Sequence, residues 1–369
     1  RASNATILVT PLLVGGDMVE RTVTVTIVEG PYAIGTSSNA DLTIHNWDTA
    51  PAPTNTWVAA AAGNASVDSN WSLGHAPTST ETVYLGAWST ADLTWDSAAT
   101  NTVAGWIQDS NYTGTVTIRT TYPSYDTTLT NLTITGDCTI EAGTWTHVDG
   151  NNDGSSPWEE YYRLRATVGG ALTLGGTASI DVSNCGFNND NGPGFAGGHR
   201  DSGGHGGYGY GGEPAYGSIV SPTNIGSGGD ASDGGGAIYL TAGSLSVGAD
   251  ASLLAIGEPQ SGSGSGSGGS IYIRAESVSG TGLISAEGGE DITDGWRGGA
   301  GGRLAIILTG SGSVDNIALD LDASCGYGYR GMGGAGTVYL EDMSHAAGQG
   351  VLIVDNGGES GQSTPIVNG

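Results

Sequence analysis

The chain has 369 residues, of which 67 are glycine, and ten arginines without any lysine oppose 37 acidic residues, for a net charge of −27. Such a chain offers no basic stripe for phosphates, which argues against nucleic acid and against anionic membrane surfaces as partners. No apolar run approaches the ~18 residues that a membrane helix needs, so membrane insertion is not expected.

Residues 1–48 are predicted to be a separate module of short strands. The segments 20–27 (ERTVTVTI) and 38–44 (SNADLTI) have strand length and alternate apolar with polar residues, and turn residues separate them. This pattern resembles the second half of a Calx-β domain. The resemblance implies an Ig-like half-sandwich at the N-terminus.

Half a sandwich leaves an open edge and an uncovered apolar face, so another segment must complete it. Missing upstream sequence, the rest of this chain or a second copy could do so. The C-terminal segment 350–369 begins with the apolar run GVLIVD and is a candidate donor strand. Donation from copy to copy would build a head-to-tail filament, a homo-oligomer. The alternative, that the chain is cut from a longer modular protein, stays open.

A proline-rich linker is predicted over 49–56, followed by a β-helix with an N-terminal cap over 57–349. The opening of this region, with Trp57, the segment 70–77 (NWSLGHAP) and then 81–85 (ETVYL), resembles the first coils of secreted bacterial β-helix proteins, including autotransporter-like passengers. An end coil has an unpaired edge, so five tryptophans are predicted to cap it. They are Trp57, Trp71, Trp88, Trp95 and Trp106.

A nearly constant period organises the second half of the chain. The aliphatic positions Ile238, Ile271, Leu304 and Val338 begin near-copies of one strand pattern, and their numbers differ by 33, 33 and 34. Fixed intervals of this length are typical of stacked repeats, and three short strands per repeat predict an all-β, right-handed parallel β-helix, or solenoid. Ile238, Ile271 and Leu304 should then form one interior column.

The same pattern occurs once more, earlier in the chain. The segment 171–180 matches 244–253 position for position. The separation between these two segments is more than twice the repeat period. The excess predicts a long glycine-rich insertion over 187–233.

A calcium-loop pattern lies between Asp149 and Glu160. The sequence DGNNDGSSPWEE fits D-x-[DN]-x-[DN]-G-x5-E, in which alternate oxygens converge on one cation. The predicted ligands of a structural Ca²⁺ are Asp149, Asn151, Asp153, Ser155 and Glu160. The alternative is a polar surface turn, for which asparagine, aspartate and glycine are also typical.

Aromatic and arginine residues recur in the glycine-rich loops. Arg297 and Arg330 are one repeat period apart and should stack on one edge, beside Trp296 and Tyr329. Rings and planar polar groups suit a carbohydrate-binding surface, so these four residues are candidate contacts for surface glycans. The alternative, which we favour, is that they cover the backbone of the glycine loops.

Two further features concern covalent chemistry. Cys138, Cys185 and Cys325 are predicted to be small buried residues without a disulfide framework. Five N-x-[ST] sequons are candidate glycosylation sites. They are Asn4, Asn64, Asn70, Asn111 and Asn131.

The sequence favours a structural role over catalysis. Paired carboxylates such as Glu159 and Glu160 are available for a polysaccharide lyase or hydrolase, but 37 acids make close pairs expected by chance, and no lysine is present as a base. We therefore expect a non-enzymatic subunit of an extracellular filament or surface fibre. A carbohydrate-binding adhesin is the first alternative, and a β-helix lyase or hydrolase is the second.

Overall fold

The computed structural model describes residues 21–26, 39–44, 53–149, 158–195, 197–198, 200–292 and 297–366. The chain divides into two compact units, Arg1–Pro53 and Thr54–Gly369. In the first unit, β1 (Arg21–Thr26) pairs antiparallel with β2 (Asn39–Ile44), with Arg21 opposite Ile44. The rest of the predicted half-sandwich lies outside the described residues.

The second unit consists of short β-strands and two single 3-10 turns, at Asp68–Asn70 and Val314–Asn316. Its strands are rich in β-branched residues that alternate between buried and accessible positions, as in β5, TVYL. The first ten are β3 (Thr54–Thr56), β4 (Gly63–Asn64), β5 (Thr82–Leu85), β6 (Leu93–Trp95), β7 (Thr102–Val103), β8 (Gly105–Gln108), β9 (Thr115–Ile118), β10 (Leu132–Ile134), β11 (Cys138–Ile140) and β12 (Thr144–Thr146).

Longer strands follow, three of which have eleven residues. The remaining strands are β13 (Leu164–Leu174), β14 (Ser179–Asp181), β15 (Ala237–Val247), β16 (Ser252–Leu254), β17 (Ser270–Gly280), β18 (Leu283–Ser285), β19 (Arg297–Gly298), β20 (Arg303–Leu308), β21 (Asp320–Asp322), β22 (Gly331–Met332), β23 (Thr337–Glu341) and β24 (Val351–Ile353). The described part of the chain is therefore essentially all-β.

Two long sheets, parallel except at the last strand of the first, make up this unit. The first has the strand order β24-β23-β20-β17-β15-β13-β11-β8-β5-β3, with β10 beside β13 and β7 beside β10. The second has the order β21-β18-β16-β14-β12-β9-β6-β4. From β13 onwards, each repeat places one strand in each sheet: β13 and β14, β15 and β16, β17 and β18, β20 and β21.

The register predicted from the repeat period is confirmed. Ile238 lies opposite Ile271, Ile271 opposite Leu304, and Leu304 opposite Val338. All four side chains are buried in one core cluster that takes residues from both sheets. Equivalent positions therefore stack directly on one another, which produces the interior aliphatic column.

The predicted match between 171–180 and 244–253 is confirmed as well. Ala171 lies opposite Ser244, and Ile180 lies opposite Leu253. Since β13 and β15 are direct neighbours, the insertion 187–233 leaves the ladder of strands uninterrupted.

The predicted tryptophan cap holds only in part: Trp57 and Trp71 bridge each other at the end of the first sheet, but the five rings do not all cover that end. Trp57, Trp71, Trp95 and Trp106 are at most 2% exposed and belong to the core, whereas Trp88 is 79% exposed. The four buried rings contact one another in series, and Trp145 continues the row, with centroids 5.1–6.4 Å apart. In this part of the core the row of rings therefore packs together with aliphatic side chains such as Val83 and Ile118.

Antiparallel segments cover both ends of the first sheet. At one end Trp57 and Trp71 form an antiparallel bridge, and Ser72 N donates to Thr56 O at 2.9 Å. At the other end β24 pairs antiparallel with β23, so the predicted donor segment is already paired within its own chain. The last three residues of the predicted linker 49–56 are not linker, because Thr54–Thr56 forms β3 and pairs with β5.

Glycine-rich segments pack against one another beside the sheets. The sequence analysis treated these segments as loops. We call this the glycine bundle, made of residues 201–207, 225–236, 264–269, 286–289, 297–302 and 323–336. Hydrogen bonds join separate segments in series: Gly289 N donates to Gly266 O at 2.9 Å, Gly299 N to Gly289 O at 2.9 Å, and Gly326 N to Gly299 O at 3.0 Å. Buried backbone polar groups thus find partners without a regular ladder.

Candidate functional site

A concave site forms where two segments meet in an antiparallel arrangement after β9. Thr121 bridges Tyr162, Tyr122 N donates to Tyr161 O at 3.0 Å, and Arg163 N donates to Thr120 O at 3.1 Å. This pairing brings the ring of Tyr125 to a centroid distance of 4.2 Å from Tyr161, at an interplanar angle of 32°.

We call the resulting cavity the aromatic cleft. It has a volume of about 300 Å³ and is lined by residues from three separate parts of the chain. The rings of Tyr125 and Tyr161 line it, as do Trp158 and Phe187, whose ring centroids lie 6.2 Å apart. Polar groups of Glu160, Glu159 and Asn224 complete the lining. Sequence reasoning did not identify this cleft; it named Glu160 as a calcium ligand and, with Glu159, as one of several carboxylate pairs.

Glu160 holds the insertion against the cleft. Its carboxylate accepts hydrogen bonds from Asn224 Nδ2 at 3.1 and 3.2 Å and from Ile225 N at 2.9 Å. Desolvation of this carboxyl group raises its pKa to about 7, although the hydrogen bonds and Arg163 act in the opposite direction. Burial therefore favours the protonated form of Glu160 more than it is favoured in an exposed glutamate, and a protonated carboxyl group can donate as well as accept a hydrogen bond.

Glu160→Gln is expected to change the pH dependence of stability. Between its unfolded pKa near 4.5 and its folded pKa of about 7, the native state keeps a proton that the unfolded state loses. The parent chain thus loses stability as the pH rises through this window, and the variant lacks this loss. We expect the free energy of unfolding of the variant, relative to the parent, to rise by about 3 kcal/mol between pH 4.5 and pH 8. Urea unfolding across this range measures it, and a difference that does not vary with pH contradicts the assignment.

A buried polar cluster lies behind the cleft. Tyr216 Oη donates to Ile225 O at 2.6 Å and accepts from Ser227 Oγ at 3.0 Å. Arg303, 1% exposed, donates from Nε to Tyr216 O at 2.7 Å, and burial lowers its pKa to about 10. His205 packs on Tyr216 with its pKa lowered to about 3, chiefly by burial. The cluster fastens the insertion to β20.

The calcium motif is described only at its two ends. Asp149 is exposed, and Glu160 makes the contacts given above, while Asn151, Asp153 and Ser155 lie outside the described residues. In the described ranges, no group of three or more His, Cys, Asp or Glu side chains is arranged to hold a metal ion. Asp149 lies near Asp233, whose pKa is raised to about 6, chiefly by burial.

The predicted arginine stack is corrected by the register. Arg297 lies opposite Gly331 rather than Arg330, because β19 and β22 pair with a shift of one residue. Arg297 forms an ion pair with Asp201 and lies 4.4 Å from the ring centroid of Tyr210. Tyr329 is 70% exposed and Arg330 is also exposed, while Trp296 lies outside the described residues. The contacts of Arg297 are therefore those expected if the arginine and aromatic side chains cover the backbone of the glycine loops.

The cysteines and sequons have the following positions. Cys138, Cys185 and Cys325 are all buried, as predicted. Asn64 and Asn111 are exposed, whereas Asn70 and Asn131 are half-buried with side-chain amides that donate within the chain. Asn4 lies outside the described residues.

Comparison with known proteins identifies no relative of this chain. No protein-family model matches the sequence, and no curated protein or solved structure matches it significantly. The resemblances to Calx-β domains and to secreted β-helix proteins therefore remain predictions from the motifs quoted above. No helix in the described part of the chain is long and apolar enough to cross a membrane.

Proposed function

We propose that residues 57–349 form a right-handed parallel β-helix in which each repeat makes one coil. The in-register stacking of four aliphatic positions, the contribution of each repeat to both sheets and the single shared core support this. Handedness follows the general preference of parallel crossovers. The Calx-β-type half-sandwich over 1–48 is part of the same proposal.

The function we infer is structural: a non-enzymatic subunit of an extracellular filament or surface fibre. The observation that carries this inference is the unbroken ladder of parallel strands from β13 to β23. Backbone hydrogen bonds join each strand of such a stack to the next, and the strands share one continuous hydrophobic core. The net charge of −27 suits a location outside the cell or at its surface, since it keeps such a stack soluble.

Copies are proposed to join head to tail, each completing the N-terminal half-sandwich of the next. β24 remains the candidate donor, but its pairing with β23 leaves only its second edge for this purpose. Val351 and Ile353 of β24, and Val354 directly after it, are 40–42% exposed. Adding a strand to that edge pairs backbone groups without breaking existing bonds, and repetition yields a filament.

Sedimentation velocity and negative-stain microscopy of the full chain test the assembly. We expect polymers that grow with protein concentration, and mainly monomers when Val351 and Ile353 are both replaced by lysine, since edge charges block strand addition. Ile366→Lys is the matched control, because Ile366 is 67% exposed and lies outside β24. A parent chain that stays monomeric at every soluble concentration contradicts the filament and favours a segment of a larger surface protein.

A structural Ca²⁺ bound by the motif from Asp149 to Glu160 is the second part of the proposal. Binding to the native state alone stabilises a protein by about 2.7 kcal/mol at a ligand concentration one hundred times the Kd. We therefore expect calcium to raise the Tm of the parent chain and to give a binding heat in titration calorimetry. Asp149→Ala should remove both effects, while Asp250→Ala, at an exposed acid outside the motif, should retain them. The absence of a calcium response in the parent chain contradicts this proposal.

A further inference from the structure

Two features of the aromatic cleft are not explained by the packing of the stacked strands. Its rings do not belong to the core cluster, and Tyr125 is 49% exposed although it lies against Tyr161. A half-exposed aromatic pair facing a cavity leaves apolar area in contact with water that a ligand could cover.

We propose that the aromatic cleft binds one or two sugar rings of a neutral glycan. This inference is independent of filament assembly. It also places glycan binding at residues other than Trp296, Arg297, Tyr329 and Arg330.

The shape of the lining favours a sugar. The tilted pair of Tyr125 and Tyr161 forms one wall, and Trp158, held by packing on Phe187, forms another. Flat aromatic faces suit the C–H faces of a pyranose ring, while hydroxyl groups at its rim need hydrogen-bonding partners. Trp158 also packs against the small buried cluster of Phe187, Ile225 and Ala237, so its position is fixed before a ligand arrives.

Planar polar groups lie beside these rings. The carboxyl group of Glu160 and the amide of Asn224 line the cleft, and the hydrogen bonds between them hold both side chains in place. Carboxylate and amide groups combine donors and acceptors in the way that hydroxyl groups require. Glu159, which is exposed and accepts from Tyr161 Oη at 3.2 Å, adds a second acceptor.

Charge and size define the ligand further. Among the described residues no basic side chain lines the cleft, whereas two glutamates do, and the chain carries a net charge of −27. Uronate and sulfated sugars are therefore repelled, which leaves neutral ones. A volume of about 300 Å³ is at the lower end of the range for ligand pockets, so it suits one or two rings rather than a long chain.

The test is titration calorimetry of the full chain with maltohexaose, cellohexaose, mannohexaose and chitohexaose, with hexagalacturonate as the anionic comparator. We expect at least one neutral oligosaccharide to bind and the galacturonate not to bind. Tyr125→Ala is expected to weaken binding about tenfold, which corresponds to about 1.4 kcal/mol, near the upper end of what an aromatic contact contributes. Tyr125→Leu, which keeps the apolar bulk but not the ring, should weaken it similarly if the alanine variant is unstable.

Tyr329→Ala is the matched control, because Tyr329 is 70% exposed and lies outside the cleft. We expect it to bind like the parent chain. The proposal is overturned if no neutral oligosaccharide binds, if galacturonate binds as well, or if only Tyr329→Ala loses binding. If new reducing ends form during incubation, the protein cleaves the oligosaccharide, and the proposal that the cleft only binds it is overturned.

Discussion

Replacing Gly299 with alanine is expected to lower the free energy of unfolding by at least about 3 kcal/mol, near or above the upper end of what overpacking in a buried site usually costs. A Cβ atom at this position would lie 1.9 Å from Gly266 O. That oxygen belongs to a backbone and not to a flexible side chain, so two segments of the glycine bundle would have to separate.

Separation of these segments also breaks hydrogen bonds. Gly299 N donates to Gly289 O, and Gly299 O accepts from Gly326 N. Buried backbone groups left without partners cost about 1–3 kcal/mol each, so the steric and polar effects act together.

Equilibrium urea unfolding measures this effect, with Gly312→Ala as the control. At Gly312 the nearest atom to a new Cβ is Leu308 Cδ1 at 3.2 Å, the end of a side chain that can move. We expect the control to change stability by less than about 1 kcal/mol. Equal stabilities of the two variants would mean that the bundle segments are not in contact in solution.

Trp106→Ala is expected to cost about 4 kcal/mol, within the usual range for truncating a buried tryptophan. Trp106 is fully buried between Trp95 and Trp145, at centroid distances of 5.3 and 5.1 Å. Its removal leaves a cavity in the row of rings, within the shared hydrophobic core.

Trp88→Ala is the control for this prediction, since Trp88 is 79% exposed and should contribute little. Trp106→Phe should cost much less than Trp106→Ala, because it keeps most of the ring and removes an indole N–H that has no partner among the described residues. A large effect at Trp88 and none at Trp106 would support the terminal cap predicted from the sequence instead of an interior row.

The register of the ladder could be predicted because, in a stack of repeats, residues one repeat period apart in the chain lie next to each other. Ile238, Ile271 and Leu304 occupy one column for the same reason that they recur at a constant interval. The match between 171–180 and 244–253 located the insertion without any knowledge of its structure.

The tryptophans and the glycine bundle could not be predicted in this way. Trp57 and Trp106 look the same in sequence whether they cover an end or fill an interior. Glycine has no side chain with which to mark a face, so nothing in the sequence indicated that Gly266, Gly289 and Gly299 would be hydrogen-bonded neighbours.

The aromatic cleft was missed for a different reason. Tyr125, Trp158 and Asn224 are far apart in the chain, and they meet only because the insertion returns to the sheet and is held there by Glu160. No local motif encodes such a meeting. The calcium pattern drew attention to Glu160 as a cation ligand, but it gave no indication that this side chain also lines a cleft.

The antiparallel segments at the two ends of the first sheet limit how this protein can change its size during evolution. A repeat added beyond Trp71, or directly beside β23, would meet an edge that an antiparallel segment already occupies. A repeat duplicated internally, between β15 and β20, would find matching neighbours above and below. Gene duplication can therefore lengthen the molecule from its middle, by about 4.8 Å for each unit, while both termini keep their present sequences.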